Sequence, residues 1–142
     1  MIVVRIALIV GTTLVVLVAG YWLYAVQIAN PRVERELIEN PDGDRARRVM
    51  LLTLPSGRRI PVNYWREQDV VYAAADGTWW KTLVGEGFPV SVLVRGETLS
   101  GRARAVLDDP DYTQRVFAKL RPNAIEGFGT LVEIRLEPTP AP

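Results

Sequence analysis

Two short segments hold residue types that could do chemistry. The first is Leu52-Thr53-Leu54-Pro55-Ser56-Gly57-Arg58-Arg59-Ile60-Pro61-Val62. Pro55, Ser56 and Gly57 predict a tight turn that exposes backbone N–H groups, and Arg58 and Arg59 follow directly. Such a turn can hold a phosphate, since Arg offers a planar fork and the N–H groups form a nest. The same residues also read as a plain solvated hairpin tip. The second segment is Asp76-Gly77-Thr78-Trp79-Trp80-Lys81-Thr82-Leu83. Trp79 and Trp80 can wall a flat ring, or they can plug the end of a small core, where large aromatics dominate. Lys81 reads as a surface residue. Arg95, Arg102 and Arg104 form a third basic group, read as a solvated outer sheet face.

The absent residues narrow the chemistry further. The 142-residue chain contains neither Cys nor His. Disulfides, thiolate metal sites, imidazole acid–base catalysis and His-ligated metals are therefore excluded. A metal would need carboxylates alone, and the acids show no such cluster along the chain. A net charge of +1 implies no nucleic-acid partner. What remains is a bound organic cofactor, a binding role or a scaffold.

The elements that must position these residues follow from periodicity. Val49–Leu54 and Arg59–Trp65 predict a hairpin around the first segment, and Val70–Ala75 a third strand after a turn at Glu67-Gln68-Asp69. Thr78–Val84 reads as a short helical or irregular piece. Phe88–Val94 alternates Val90, Val92 and Val94 against Ser91 and Leu93, and Thr98–Leu107 follows the Gly96-Glu97 turn. Asp109 caps a helix with Pro110 in its first position, and Tyr112, Val116, Phe117 and Leu120 share one face. Pro122 ends it, and Leu131–Leu136 is a last strand. Five hairpin-linked strands, one packed helix and a returning sixth strand predict a mainly β fold, a small six-stranded antiparallel barrel whose closure hides its edges.

Ahead of this domain, residues 6–28 carry no charge. As a helix they would span about 34 Å, enough for a hydrocarbon core of ~30 Å. The run is apolar all round and longer than a signal-peptide core, so it reads as a single N-terminal transmembrane helix. Tyr21, Trp22 and Tyr24 suit a headgroup layer. The domains expected are an anchor at 1–30, a charged, solvated juxtamembrane linker at 31–47, the barrel at 48–137 and a Pro-rich tail at 138–142. Past Pro31, Val33, Leu37 and Ile38 allow the helix a further turn or two. Arg5 before the span and Arg32 and Arg35 after it favour a cytoplasmic barrel. Arg45, Arg47 and Arg48 could then meet anionic headgroups.

From Val49 to Leu136 the chain resembles the deazaflavin-dependent nitroreductase/quinone reductase family of the flavin-binding split β-barrel superfamily. The carriers are Leu52–Arg59 leading to Pro61 and Tyr64, the Asp76–Leu83 segment, and Phe88–Gly96 into Gly101-Arg102-Ala103. The resemblance implies a split barrel in which Ser56, Gly57, Arg58 and Arg59 hold a cofactor phosphate. It implies that Trp79, Trp80, Lys81 and Thr82 line the cofactor cleft. The cofactor implied is the deazaflavin coenzyme F-420, with FMN as second choice, and the activity is hydride transfer to a quinone or nitro compound. Such a cofactor does the hard chemistry, so an enzyme needs neither His nor Cys. Split barrels of this kind also pair into homodimers with cofactor at the interface. The partners expected are the lipid bilayer, a membrane quinone and a second copy. Two departures stand out: Leu54-Pro55 replaces the family's Gly-Arg, and Thr82 its usual Asn. They keep open a second function, a non-catalytic membrane-anchored interaction module that has lost its cofactor.

Overall fold

The computed structural model describes residues 1–24 and 30–138. Residues 1–35 and 36–142 form two compact units. In the first, helix α1 (Ile2–Tyr24) has no buried residue. Among the described residues it is the one helix long and apolar enough to cross a membrane. Its two threonines spend their hydroxyls internally, Thr12 on the Leu8 carbonyl at 2.7 Å and Thr13 on the Ile9 carbonyl at 2.8 Å. That is what a helix facing hydrocarbon requires of polar groups. The end of the expected span, 25–28, lies outside the described residues, as does the expected tail beyond Pro138.

Helix α2 (Asn30–Glu39) follows, with Pro31 in its first turn, where a missing N–H costs nothing. The segment from Glu36 to Arg48 is not the fully solvated linker its charges suggest. Leu37 and Ala46 are buried. The Arg45 Nε lies 2.8 Å from the Glu36 carboxylate.

The barrel is built from β1 (Val49–Thr53), β2 (Arg59–Glu67), β3 (Val70–Ala75), β4 (Phe88–Val94), β5 (Glu97–Val106) and β6 (Thr130–Leu136). A 3-10 turn (Trp79–Leu83) lies between β3 and β4, and helix α3 (Pro110–Leu120) between β5 and β6. The sheet closes in the order β1-β2-β3-β6-β5-β4, all neighbours antiparallel. The returning sixth strand enters between β3 and β5. The expected chain of hairpins breaks once, at β3 to β4. These strands do not pair, and the 3-10 turn carries the chain between them.

Every second residue points inward, as a strand's two-residue period demands. Met50, Leu52, Ile60, Val62, Val71, Ala73, Val90, Val92, Ala103, Val132 and Ile134 make the barrel core. Each fully buried aliphatic side chain contributes roughly 1.5–3 kcal/mol. The β4–β5 turn, Arg95-Gly96, has positive φ at both residues (48° and 81°), the mirror-image turn that suits a twisted hairpin. A Cβ on Gly96 would lie 2.9 Å from Pro41 Cβ, so only glycine fits there.

Candidate functional site at one rim of the barrel

The strand directions decide which connections share a rim. Thr53 pairs with Arg59, Ala75 with Thr130, Val106 with Leu131 and Phe88 with Ala103. The 54–58 turn and the 76–87 connection therefore leave the barrel at the same end. The two segments singled out in the sequence, 20 positions apart, share a rim.

The turn is closed by its own donors. Leu54 N–H donates to the Arg58 carbonyl at 2.9 Å and Gly57 N–H to the Leu54 carbonyl at 2.8 Å. Arg58 N–H points at Ser56 Oγ, 3.4 Å away. Gly57 has φ +84° with open space where a Cβ would stand. The N–H nest expected from sequence is thus largely spent inside the turn. What faces outward is side chain: Ser56, Arg58 and Arg59 are all exposed. Among the described residues the Arg58 guanidinium has no ion-pair partner.

In the second segment Trp79 and Trp80 are half-buried against the barrel core. They plug the barrel end and still present an edge to solvent. Leu83 is fully buried and pins the 3-10 turn. Lys81 Nζ stands 5.9 Å from the centre of the Trp80 ring. The Thr82 hydroxyl donates to the Trp79 carbonyl at 2.9 Å.

Two clefts of ligand size are lined by other residues. One, about 760 Å³, lies between α3 and the 121–129 loop, lined by Leu107, Phe117, Arg121 and Ile125 among others. Arg121 clasps that loop, its Nη1 2.6 Å from Asp76 Oδ1, its Nη2 on the Phe128 carbonyl and its guanidinium 4.4 Å from the Phe117 ring centre. The other, about 700 Å³, is lined by Arg45, Arg47, Arg48, Tyr64, Trp65 and Lys119 among others. Neither is lined by the turn or the tryptophans.

A polar knot on the outer face of β6 was missed in the sequence. Glu133 is 3% exposed. The Tyr112 hydroxyl donates to its Oε2 at 2.8 Å and lies 3.0 Å from the Tyr72 hydroxyl. Arg135 Nε donates to Glu133 Oε1 at 3.0 Å, with Arg104 Nε at 3.5 Å. Burial pushes the Glu133 carboxyl up. The hydrogen bonds from Tyr112 and Arg135 and the charge of Arg104 outweigh burial and hold the carboxyl below its ordinary range. Burial, then the contacts with Tyr72 and Glu133, push the Tyr112 phenol far up. This knot fastens α3 to the barrel wall. Its one sequence signal was a lone acid in a strand whose other outward residues, Leu131 and Arg135, bracket it.

No protein-family model and no curated protein matches the chain. Among solved structures it is similar to a putative pyridoxamine 5'-phosphate oxidase from Listeria innocua. Identity is 14% and the TM-score 0.50, over 64% of this chain and 85% of that one. The fold is therefore a split barrel. At this identity the likeness carries fold and no chemistry.

Proposed function

We propose that this chain is a membrane-anchored oxidoreductase of the deazaflavin-dependent nitroreductase/quinone reductase type. Its barrel would face the cytoplasm and use coenzyme F-420, or FMN as second choice, toward a membrane quinone or a nitro compound. The observation that carries this reading is that the Ser56–Arg59 turn and the Trp79–Thr82 segment leave the barrel at the same rim. When bound, such a cofactor supplies hydride transfer.

The side chains fit it in part. Arg58 offers an unengaged guanidinium fork and Ser56 a hydroxyl, a pair suited to one phosphate. Arg59 adds charge beside them. The exposed edges of Trp79 and Trp80 offer an apolar wall for a flat ring, and Lys81 beside Trp80 adds a positive charge at that wall. Neither cleft takes in the turn or the tryptophans, so a second copy would complete the site, and the active form proposed is a homodimer. The anchor would keep the barrel at a membrane, where lipid-borne acceptors are.

The test is a titration of the purified full chain with F-420 and with FMN. Micromolar binding of one of them is expected, weakened roughly tenfold by Arg58→Gln, the loss of one charge-assisted phosphate contact. Absence of binding of both at high micromolar concentration would sink the proposal.

A second reading, a non-catalytic anchored module that has lost its cofactor, has its own support. The Gly57 N–H and the Thr82 hydroxyl are both satisfied within the chain. A stoichiometric protein partner co-purifying with a chromophore-free chain would favour it.

A further inference from the structure

The opposite rim carries a groove that the redox reading does not use. The chain enters the barrel here through a turn at Arg45–Arg48, and that turn is tied down on every side. Arg48 N–H and Val49 N–H both donate to the Arg45 carbonyl, at 3.0 and 2.8 Å. The Arg48 carbonyl accepts from Tyr64 N–H at 3.0 Å, which continues the β1–β2 ladder by one step. The Tyr64 hydroxyl donates to the Ala46 carbonyl at 3.1 Å, and Ala46 itself is 1% exposed. With Ala46 buried and its neighbours' backbone fixed, Arg47 and Arg48 stand out from a rigid turn. Little backbone ordering entropy remains to be lost when a ligand meets them.

The groove beside this turn measures about 700 Å³. Its lining holds four cations, Arg45, Arg47, Arg48 and Lys119, against two carboxylates, Glu36 and Asp44. These carboxylates do not neutralise it. Glu36 is engaged by Arg45 at 2.8 Å, while Asp44 reaches Arg47 only at 3.7 Å, with both side chains largely in water. A pair so exposed holds each charge weakly. Lys119 leans on Glu67 at 3.4 Å, again at the surface. Among the described residues the Arg48 guanidinium has no ion-pair partner. Trp65, 41% exposed, adds an amphipathic ring to the same lining. Cations on a fixed turn next to an exposed indole are the equipment of a headgroup site.

The chain itself says which anion is at hand. Glu36 comes only twelve positions after Tyr24, the last residue of the apolar helix α1. A fully extended chain of that length reaches about 40 Å. A stretch that short tethers the groove to whatever membrane holds α1.

We propose that this groove binds the headgroup of an anionic phospholipid, with Arg47 and Arg48 on its phosphate and Trp65 at the level of its glycerol. The site is independent of the cofactor rim and would stand if the redox reading fell.

The test uses the full chain, purified in mild detergent with equimolar phosphatidylglycerol and phosphatidylcholine, with retained lipid counted by native mass spectrometry. Preferential retention of phosphatidylglycerol is expected. Arg47→Gln with Arg48→Gln should cut that preference by more than tenfold, at roughly fivefold per basic residue. Lys119→Gln, a milder change, should cut it less and in the same direction. Arg32→Gln with Arg35→Gln, outside the groove, should leave it within about twofold. Equal retention of the two lipids, or an unchanged preference in the Arg47/Arg48 variant, would overturn the proposal. So would a loss as large in the Arg32/Arg35 variant, since the charges at the helix end would then be the ones that hold the lipid.

Discussion

The inner and outer faces of the same barrel wall are stabilised in opposite ways. Inside, sixteen buried residues, all apolar, pack against one another. Outside, under α3, a smaller apolar patch has Tyr72, Val106, Val116 and Leu131 buried and Val70, Tyr112 and Phe117 packed against them, and a buried carboxylate sits beside it. The interior is non-directional and depends on volume. The outer face is directional: Glu133 is held by donors from α3, β5 and β6, each of which must be correctly placed. The barrel would stay closed if α3 loosened, whereas α3 has no comparable core of its own. This polar fastening places α3 by geometry at a face where apolar area is short.

That contrast can be broken most sharply from the inside. Leu52→Ala removes a fully buried side chain from the core and is expected to destabilise the domain by about 3 kcal/mol, read as a lower urea midpoint with unchanged slope. Glu133→Gln keeps the shape and removes the charge, and should cost about 2 kcal/mol at neutral pH. Here the pH dependence tells the two faces apart. The Glu133 carboxyl is held low in the folded state, so its stabilisation is present above the ordinary carboxylate pKa of 4.5 and is lost as pH falls toward the folded value. The gap between wild type and Glu133→Gln should therefore narrow below pH 4.5, while that of Leu52→Ala should not change with pH. The smallest effect expected is that of Asp109→Ala. The Asp109 carboxylate accepts from Tyr112 N–H at 2.9 Å at the start of α3. Its loss should cost about 1 kcal/mol. Hydrogen exchange should show that loss in α3 ahead of the strands.

Much of this architecture is legible in the sequence, because a strand's alternation is written residue by residue. Val90, Val92 and Val94 announce their buried face without help from the rest of the chain, and Asp109-Pro110 announces a helix start. The hairpin turns are equally local. The pairing of β3 with β6 is not, since it joins residues some 60 positions apart and no local signal says that β4 must look elsewhere for a neighbour. The Glu133 knot is hidden for the same reason: Tyr112 meets it only after α3 folds back over β6. At the candidate site, the residue types are visible but the fate of their donors is not. Whether the Gly57 N–H faces a ligand or the Leu54 carbonyl is set by the turn's backbone, which the letters Pro-Ser-Gly leave open. The 36–48 segment misled through composition, as its many charges masked Leu37 and Ala46, the two residues that seat it.

The strand order has a consequence for assembly. β1, β2 and β3 can form from neighbouring hairpins, and β4 with β5 from another, each as soon as its residues exist. Strand β6 arrives last and drops between β3 and β5, the keystone of the ring. Until it does, the half-built barrel has an open slot bordered by Val70-Val71-Tyr72-Ala73, an apolar margin with unpaired backbone. Such a margin invites a strand from another chain. The interval before β6 docks is therefore when the domain is most open to pairing between copies.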